Sequence, residues 1–374
     1  LFFKMKYNQD ILFRLFQAYF DARRNKRNKH SQLAFELQLE KNIFELYGEI
    51  ATRTYKPGSS ICFIVEEPVK REVFAANFRD RVVHHFIYNI LSPLAEKIFL
   101  YDVYSCRKGK GTLFGVKRTY SKMQAATSNF KENAYVMKLD ISGYFMSMNK
   151  LILYSTIEKL IDHNEIHLPI QANLLKYLVK ENIFHDPTNN CRFQSNKKLW
   201  SDLPSNKSLF TAQTNCGLPI GNLTSQLYGN LYLNDFDHFV KKELNINHYG
   251  RYVDDFYMIH HDKETLINAK DRITERLKEV EKLDIHPNKV YLQKSDKGFP
   301  FLGIYILPHR RYIGKRIKRG LYESLSNILD AKDNDTKTKE MKRHISYRGF
   351  LKHHNCKKLD QQMTLLYDYS NLKV

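Results

Sequence analysis

The sequence predicts a mixed α+β fold, and three observations carry that prediction. Apolar residues recur at helical spacing in several long segments, and short apolar runs bounded by polar or glycine-containing turns occupy the middle of the chain. The two kinds of segment are interleaved rather than separated. At 374 residues the chain can bury a large core, and two or three subdomains are expected.

Each element has a local reason. Residues 11–23, ILFRLFQAYFDAR, place apolar side chains at helical spacing and are followed by a basic loop, RNKRNKHS. Helical periodicity resumes over 33–50 and stops at the turn cluster TYKPGSS. ICFIVEE predicts a strand, and FRDRVVHHFIYNILSPLAEKIF a long amphipathic helix. YVMKLDISGYF predicts a second strand that ends in an acidic, glycine-containing bend. Residues 185–209 form a long polar loop that holds the only tryptophan, Trp200. NHYGRYVDDFYMIHH predicts a β-hairpin with VDD at its tip. FPFLGIYIL predicts a further strand after the polar turn KSDKG. From about Lys315 the pattern is charged and helical, with a break at DAKDNDTK. There is no internal repeat or low-complexity tract.

Charge narrows the function. Sixty Lys and Arg against forty Asp and Glu give a formal net charge of +20. Such a surface attracts a polyanion at long range and releases counterions on binding it. The 24 Tyr and 24 Phe interleaved with those cations supply rings on which bases stack, which favours nucleic acid over a basic protein-docking face. A mean hydropathy of −0.52 and the lack of a membrane-spanning apolar run predict a soluble protein with no membrane partner. The opening LFFKMKYNQD has no signal-peptide character, and Leu1 is not a start methionine. Five cysteines without a CxxC pair fit neither a disulfide framework nor a zinc ribbon, and suit a reducing, cytoplasmic compartment.

Asp254 and Asp255 sit side by side between two apolar, aromatic-rich runs. A pair of aspartates in a turn is common, so these two alone prove little. Asp140 is a third carboxylate, alone at the end of an apolar strand, where burial needs compensation. If the two strands pair in one sheet, three carboxylates meet at one spot. They repel one another unless hard cations such as Mg²⁺ lie among them.

A strand ending in Asp140, the block GLPIGNLTSQ at 217–226 and the YVDD hairpin occur in that order. They resemble motifs A, B and C of a reverse transcriptase. FRDRVVHHFIYNIL, YSCRKGKGT, LPSNKSLF, GFPFLGIYI and SYRGFLKHHN extend the resemblance over nearly the whole chain, to the reverse transcriptases of diversity-generating retroelements. These belong to the group II intron-like superfamily. The most telling block is IGNLTSQ, where Ile220 precedes Gly221 and Gln226 follows Ser225; most relatives carry a polar residue before the glycine and Ser-Pro after it.

The resemblance implies a right-hand polymerase, with a palm of antiparallel sheet and packed helices. The N-terminal extension and fingers are expected over 1–134. The palm follows over 135–310, with inserted helices and the polar loop at 150–214, and a helical thumb over 311–374. It implies an RNA-directed DNA polymerase, a nucleotidyltransferase using two Mg²⁺ ions, that makes adenine-mutagenic cDNA to diversify a target gene. Expected partners are a retroelement template RNA, the cDNA or primer, dNTPs and a basic, oligomeric accessory variability protein. The setting would be bacterial, archaeal or phage-encoded.

By the same resemblance Asp140, Asp254 and Asp255 are the catalytic carboxylates, and with the Ile141 carbonyl they hold the metal. Adjacent strand residues face opposite ways, so Asp255 is expected to contact metal less directly than Asp254. Phe145, in competition with Tyr144, would lie under the incoming sugar and exclude a 2′-hydroxyl. Arg71 matches the nucleotide-contacting arginine, with Lys70 assisting. Arg79 and Arg81 are weaker candidates, since RDR equally suits a salt-bridged structural element. Ile220, Gly221 and Gln226 are expected at the nascent base pair, and Lys289 near the pyrophosphate, in competition with a solvated lysine. Residues 311–352 would track the template–primer backbone. The competing readings are a phage-defence reverse transcriptase, which the IGNLTSQ block disfavours, and a non-catalytic RNA-binding relative, which the complete aspartate set disfavours.

Overall fold

The computed structural model describes residues 2–24, 29–67 and 69–371, so half of the basic loop RNKRNKHS, residues 25–28, lies outside the described residues. The chain opens with α1 (Phe2–Arg23), α2 (His30–Glu36) and α3 (Leu39–Ala51). The single helix expected over 33–50 is therefore two. Gln38 leaves the helical region at φ −132° and ψ 46°. Leu37 is 86% exposed at that joint.

Next come β1 (Ser60–Val65), β2 (Arg71–Ala76), α4 (Phe78–Ile98), α5 (Thr112–Ala126) and β3 (Tyr135–Asp140). The Asn77 side chain caps α4 by accepting from the Asp80 N–H. Helices α6 (Tyr144–Ser147), α7 (Lys150–His163) and α8 (Ala172–Phe184) precede β4 (Cys191–Phe193). Then follow α9 (Leu223–Tyr232), α10 (Asn234–His238), β5 (His248–Tyr252), β6 (Asp255–His260) and α11 (Lys263–Arg276). The chain continues through β7 (Tyr291–Lys294), β8 (Phe299–Phe301), β9 (Ile304–Leu307) and β10 (Arg310–Ile313). It closes with α12 (Lys315–Asp330), α13 (Asn334–Leu351) and α14 (Lys357–Asn371). No helix among the described residues is long and apolar enough to cross a membrane.

Two of these elements differ from the sequence reading. FPFLGIYIL is not one strand but the hairpin β8–β9, because Leu302 and Gly303 both take positive φ (51° and 82°). Positive φ at both central residues is what a tight two-residue hairpin loop requires. The polar loop also contains a strand. Its β4 joins β1 in parallel, Ser60 opposite Cys191 and Cys62 opposite Phe193.

The chain forms two compact units interleaved in sequence. The first comprises residues 1–103, 140–243 and 271–286 and contains the sheet β2-β1-β4. Cys62, Phe74, Met146 and Leu209 form a small core there, with Phe145, Phe193, Trp200 and Ile220 packed against it. The second comprises 104–139, 244–270 and 287–374 and holds the sheets β5-β6-β3-β7 and β10-β9-β8. Its core draws Val136 from β3, Tyr257 and Ile259 from β6, Phe299 to Ile306 from the β8–β9 hairpin, and Leu321 from α12. The burial pattern of β6, with four consecutive buried residues, marks it as a strand covered on both faces.

Candidate active site

Strands β5 and β6 pair antiparallel with Tyr252 opposite Asp255, so Val253 and Asp254 alone make the turn. Val253 has φ 61°. Positive φ at the first of two central residues is the position that a hairpin normally gives to glycine. Holding a β-branched side chain there costs about 1–2 kcal/mol. The turn is gripped from both sides: the Val253 N–H donates to Ser105 Oγ at 3.1 Å, and Arg251 Nη1 donates to the Val253 carbonyl at 2.8 Å. Arg251 is fully buried. Strain kept by surrounding contacts is characteristic of functional turns, and here it fixes where Asp254 stands.

In the same sheet β6 lies beside β3, the strand that ends in Asp140. Lys138 ion-pairs with Asp255, Nζ to Oδ2 at 3.1 Å. Lys138 and Asp140 are two residues apart on one strand and so share a face. The ammonium thus compensates Asp255. Beyond β3 the chain makes an antiparallel bridge between Ile141 and Ile285. Its hydrogen bonds run from the Ser142 N–H to the Asp284 carbonyl and from the His286 N–H to the Asp140 carbonyl, each 2.8 Å. They do not use the Ile141 carbonyl.

Carboxylate oxygens and a backbone carbonyl, the donor types expected from Asp140, Asp254, Asp255 and Ile141, are those that suit a hard divalent ion. Among the described residues no three Asp, Glu, His or Cys side chains are already gathered as a metal cage.

The expected nucleotide-contacting residues other than Lys289 lie in the first unit. Arg71 is exposed at the start of β2. The segment carrying Ile220 and Gly221 is stitched to that strand, since the Phe74 N–H donates to the Ile220 carbonyl at 2.8 Å. Gly221 has φ 121°, and a Cβ there would stand 2.8 Å from the Phe74 carbonyl oxygen. Only glycine permits that approach. The Ile220 side chain packs against the Phe74 and Met146 cluster, while Gln226, on the first turns of α9, is exposed. Phe145 is half-buried, and its ring would touch a Cβ built on Gly229 of α9 at 3.4 Å. Tyr144, its competitor, is buried with its hydroxyl donated to the Gly229 carbonyl.

Arg79 stands differently. It ion-pairs with Glu49 and, at 3.2 Å, with Asp80, and its guanidinium lies 5.0 Å from the Tyr55 ring centre. Arg81 donates to the Ala76 carbonyl at 2.8 Å. The RDR element is thus engaged as a structural network. Lys70 lies 3.7 Å from Asp202. In the second unit Lys289 is exposed, two residues before β7, the neighbour of β3 on the side away from β6.

Three functional positions escaped the sequence reading: Ser105, Lys138 and Arg251. A lone cation inside an apolar strand was the available signal for Lys138 and Arg251. Ser105 had none, because its partner lies 148 residues away.

A family model described as reverse transcriptase (RNA-dependent DNA polymerase) matches residues 70–306, a span that contains Arg71, Asp140, Ile220, Asp254 and Lys289. No curated protein sequence matches the chain. Among solved structures, apo telomerase from Candida tropicalis truncated from its C-terminal domain is similar at TM-score 0.49 and 14% identity, over 68% of this chain and 55% of that one. Telomerase from Candida albicans with a TWJ fragment of telomeric RNA is similar at TM-score 0.47 and 10% identity, over 84% and 60%. The chain therefore spans somewhat over half the length of those structures.

Proposed function

The chain belongs to the reverse transcriptase (RNA-dependent DNA polymerase) family, and on that premise we propose that it copies an RNA template into DNA at the Val253–Asp254 turn. The carrying observation is the strained turn, clamped by Ser105 and Arg251 next to the strand that ends in Asp140. A solvated loop gains nothing from a left-handed valine locked by a buried arginine.

The family uses divalent metal ions. We assign them to Asp140, Asp254 and the Ile141 carbonyl, with Asp255 steadied by Lys138 and contributing less directly; two Mg²⁺ ions is the expected complement. Bound there, the ions supply activation of the primer 3′-hydroxyl and neutralisation of the leaving pyrophosphate. The chain's own groups do the rest. Arg71 binds triphosphate oxygens, Lys289 gives a proton to the leaving group, and the Phe145 ring excludes a ribose 2′-hydroxyl. Fingers over 1–134, palm over 135–310 and thumb over 311–374 are the corresponding assignment.

The finer reading is a retroelement enzyme that makes adenine-mutagenic cDNA to diversify a target gene, with a template RNA and a basic accessory protein as partners. The Ile220…Ser225-Gln226 block supports it, and so does the packing of Ile220. A side chain turned to the Phe74 cluster offers no hydrogen bond to a nascent base pair.

One set of reactions tests both levels. Asp254→Asn with Asp255→Asn should abolish dNTP incorporation on an RNA template while leaving the chain folded, the melting temperature falling only slightly as the Lys138–Asp255 ion pair is lost. Substantial metal-dependent extension by that variant would remove the assignment. Sequencing the wild-type cDNA should show errors concentrated opposite template adenine, and Ile220→Gln should lower them. Errors spread evenly over the four bases would leave a reverse transcriptase without the mutagenic role.

A further inference from the structure

The loop over residues 191–211 does more than close the core beneath it. Phe193 and Phe210 stack at 5.7 Å and 13°, and Trp200 meets Phe193 edge-on at 5.2 Å and 77°. These rings line an open cavity of about 400 Å³ together with Lys197, Ser205 and Thr211. A lid that only sealed the core would bury its rings. Here Phe210 is 42% exposed and the rings face a cavity large enough for one small ligand.

The loop around the cavity is anchored on a buried side chain. Glu72, on β2, is fully buried and accepts from Trp200 Nε1 at 2.7 Å, Ser208 Oγ at 2.8 Å and the Leu209 N–H at 2.6 Å. Burying a carboxylate is costly unless donors surround it, and these three bonds tie the middle and the C-terminal end of the loop to the strand. They fix the plane of the indole before any ligand arrives. Preorganised aromatic walls bind with little ordering cost.

Charge decides what the walls receive. Arg192, Lys197, Lys198 and Lys207 are exposed along this loop, whereas its one exposed acid, Asp202, is paired with Lys70. Lys197 Nζ lies 4.8 Å from the Phe193 ring centre, so a cation stands beside the stacking surface. Flat rings with adjacent cations are the chemistry of base stacking with phosphate pairing.

We propose that this cavity takes an unpaired nucleobase of single-stranded RNA, stacked among Phe193, Trp200 and Phe210, with Lys197 on its phosphate. The proposal rests on the RNA-copying reading above, and places RNA engagement at a second location, outside the aspartate site. It makes Trp200 a built-in reporter, because it is the only tryptophan in the chain.

The experiment is a fluorescence titration of the full chain with an unstructured RNA octamer, with an abasic octamer of the same backbone, and with a single nucleoside monophosphate. The RNA should quench Trp200 saturably, and the abasic strand should not. Phe210→Ala should weaken the quenching interaction by about tenfold. Lys197→Ala should weaken it less and lower its salt dependence. Both altered side chains are exposed, and a melting curve checks each fold. Equal quenching by the abasic strand, no quenching, or full affinity in Phe210→Ala would overturn the proposal. So would the monophosphate binding as tightly as the RNA, since the site would then serve free nucleotide. Quenching that fails while wild-type extension persists removes this pocket only; absent wild-type extension removes the polymerase reading instead.

Discussion

At Val253 the chain adopts a conformation that glycine would take without cost. Val253→Gly relieves about 1–2 kcal/mol of backbone strain and loses roughly 0.5–1 kcal/mol to the freer unfolded chain. Stability should therefore rise by between zero and about 1.5 kcal/mol. The turn would, however, sample other shapes and hold Asp254 less firmly. A fall of about tenfold or more in kcat for incorporation is expected, with KM for dNTP little moved. Single-turnover kinetics would show it, and an unchanged rate would mean that the strain is incidental. Phe145 bears the second prediction at this scale. Phe145→Ala should open the sugar pocket and shift the ratio of dNTP to rNTP incorporation efficiency toward rNTP. Since the Tyr144 hydroxyl is committed to the Gly229 carbonyl, an unchanged ratio would have to be explained elsewhere in α6.

Among the elements, α12 places its charges against local electrostatics. Lys315, Arg316, Lys318 and Arg319 are exposed in its first turns, and no acid accompanies them in the first turn. The amino end of a helix carries partial positive charge, so cations there are unfavourable by a few tenths of a kcal/mol each. Arg319 is offset within the helix by Glu323 at 3.4 Å. A cluster placed so is consistent with phosphate binding. Lys315→Gln with Lys318→Gln should keep or slightly raise the melting temperature. The same change should lower RNA affinity and reduce the logarithmic salt slope by about one for each phosphate no longer neutralised. Unaltered affinity and slope would return α12 to an ordinary solvated face.

Across the whole molecule, burial keeps several histidines neutral. It pushes His84 down to about 3 and His354 down to about 4, with neighbouring positive groups adding to the effect, and lowers His185 and His344 in the same way. Below about pH 6.5 the unfolded chain would take up protons that the folded chain refuses. Stability is thus fully present above that pH and declines on acidification, by up to about 1.4 kcal/mol per pH unit for His84 alone. Chemical denaturation at pH 7, 6 and 5 should show the loss well before carboxylates titrate. A flat profile over that window would mean that these rings are protonated in the native state.

The hairpin carrying VDD, the strand ending in Asp140 and the long α4 were readable because each is written in local periodicity and turn chemistry. The order of the motif blocks was equally local, and it agrees with the family match over residues 70–306. What stayed hidden depends on partners far apart in the chain. No pattern in residues 249–255 says that Ser105 will seat the Val253 amide, and none near Glu72 says that Trp200, 128 residues on, will close over it. Nor does the polar composition of 185–209 announce that Cys191–Phe193 will extend the β1 sheet in parallel. Local periodicity therefore determined most of the elements, and the ordered motif blocks carried the resemblance to the family that the match shows. The clamp on the turn, the structural engagement of Arg79 and the aromatic cavity were decided only by tertiary packing. Long-range hydrogen bonds and buried charges have no periodic trace in a sequence.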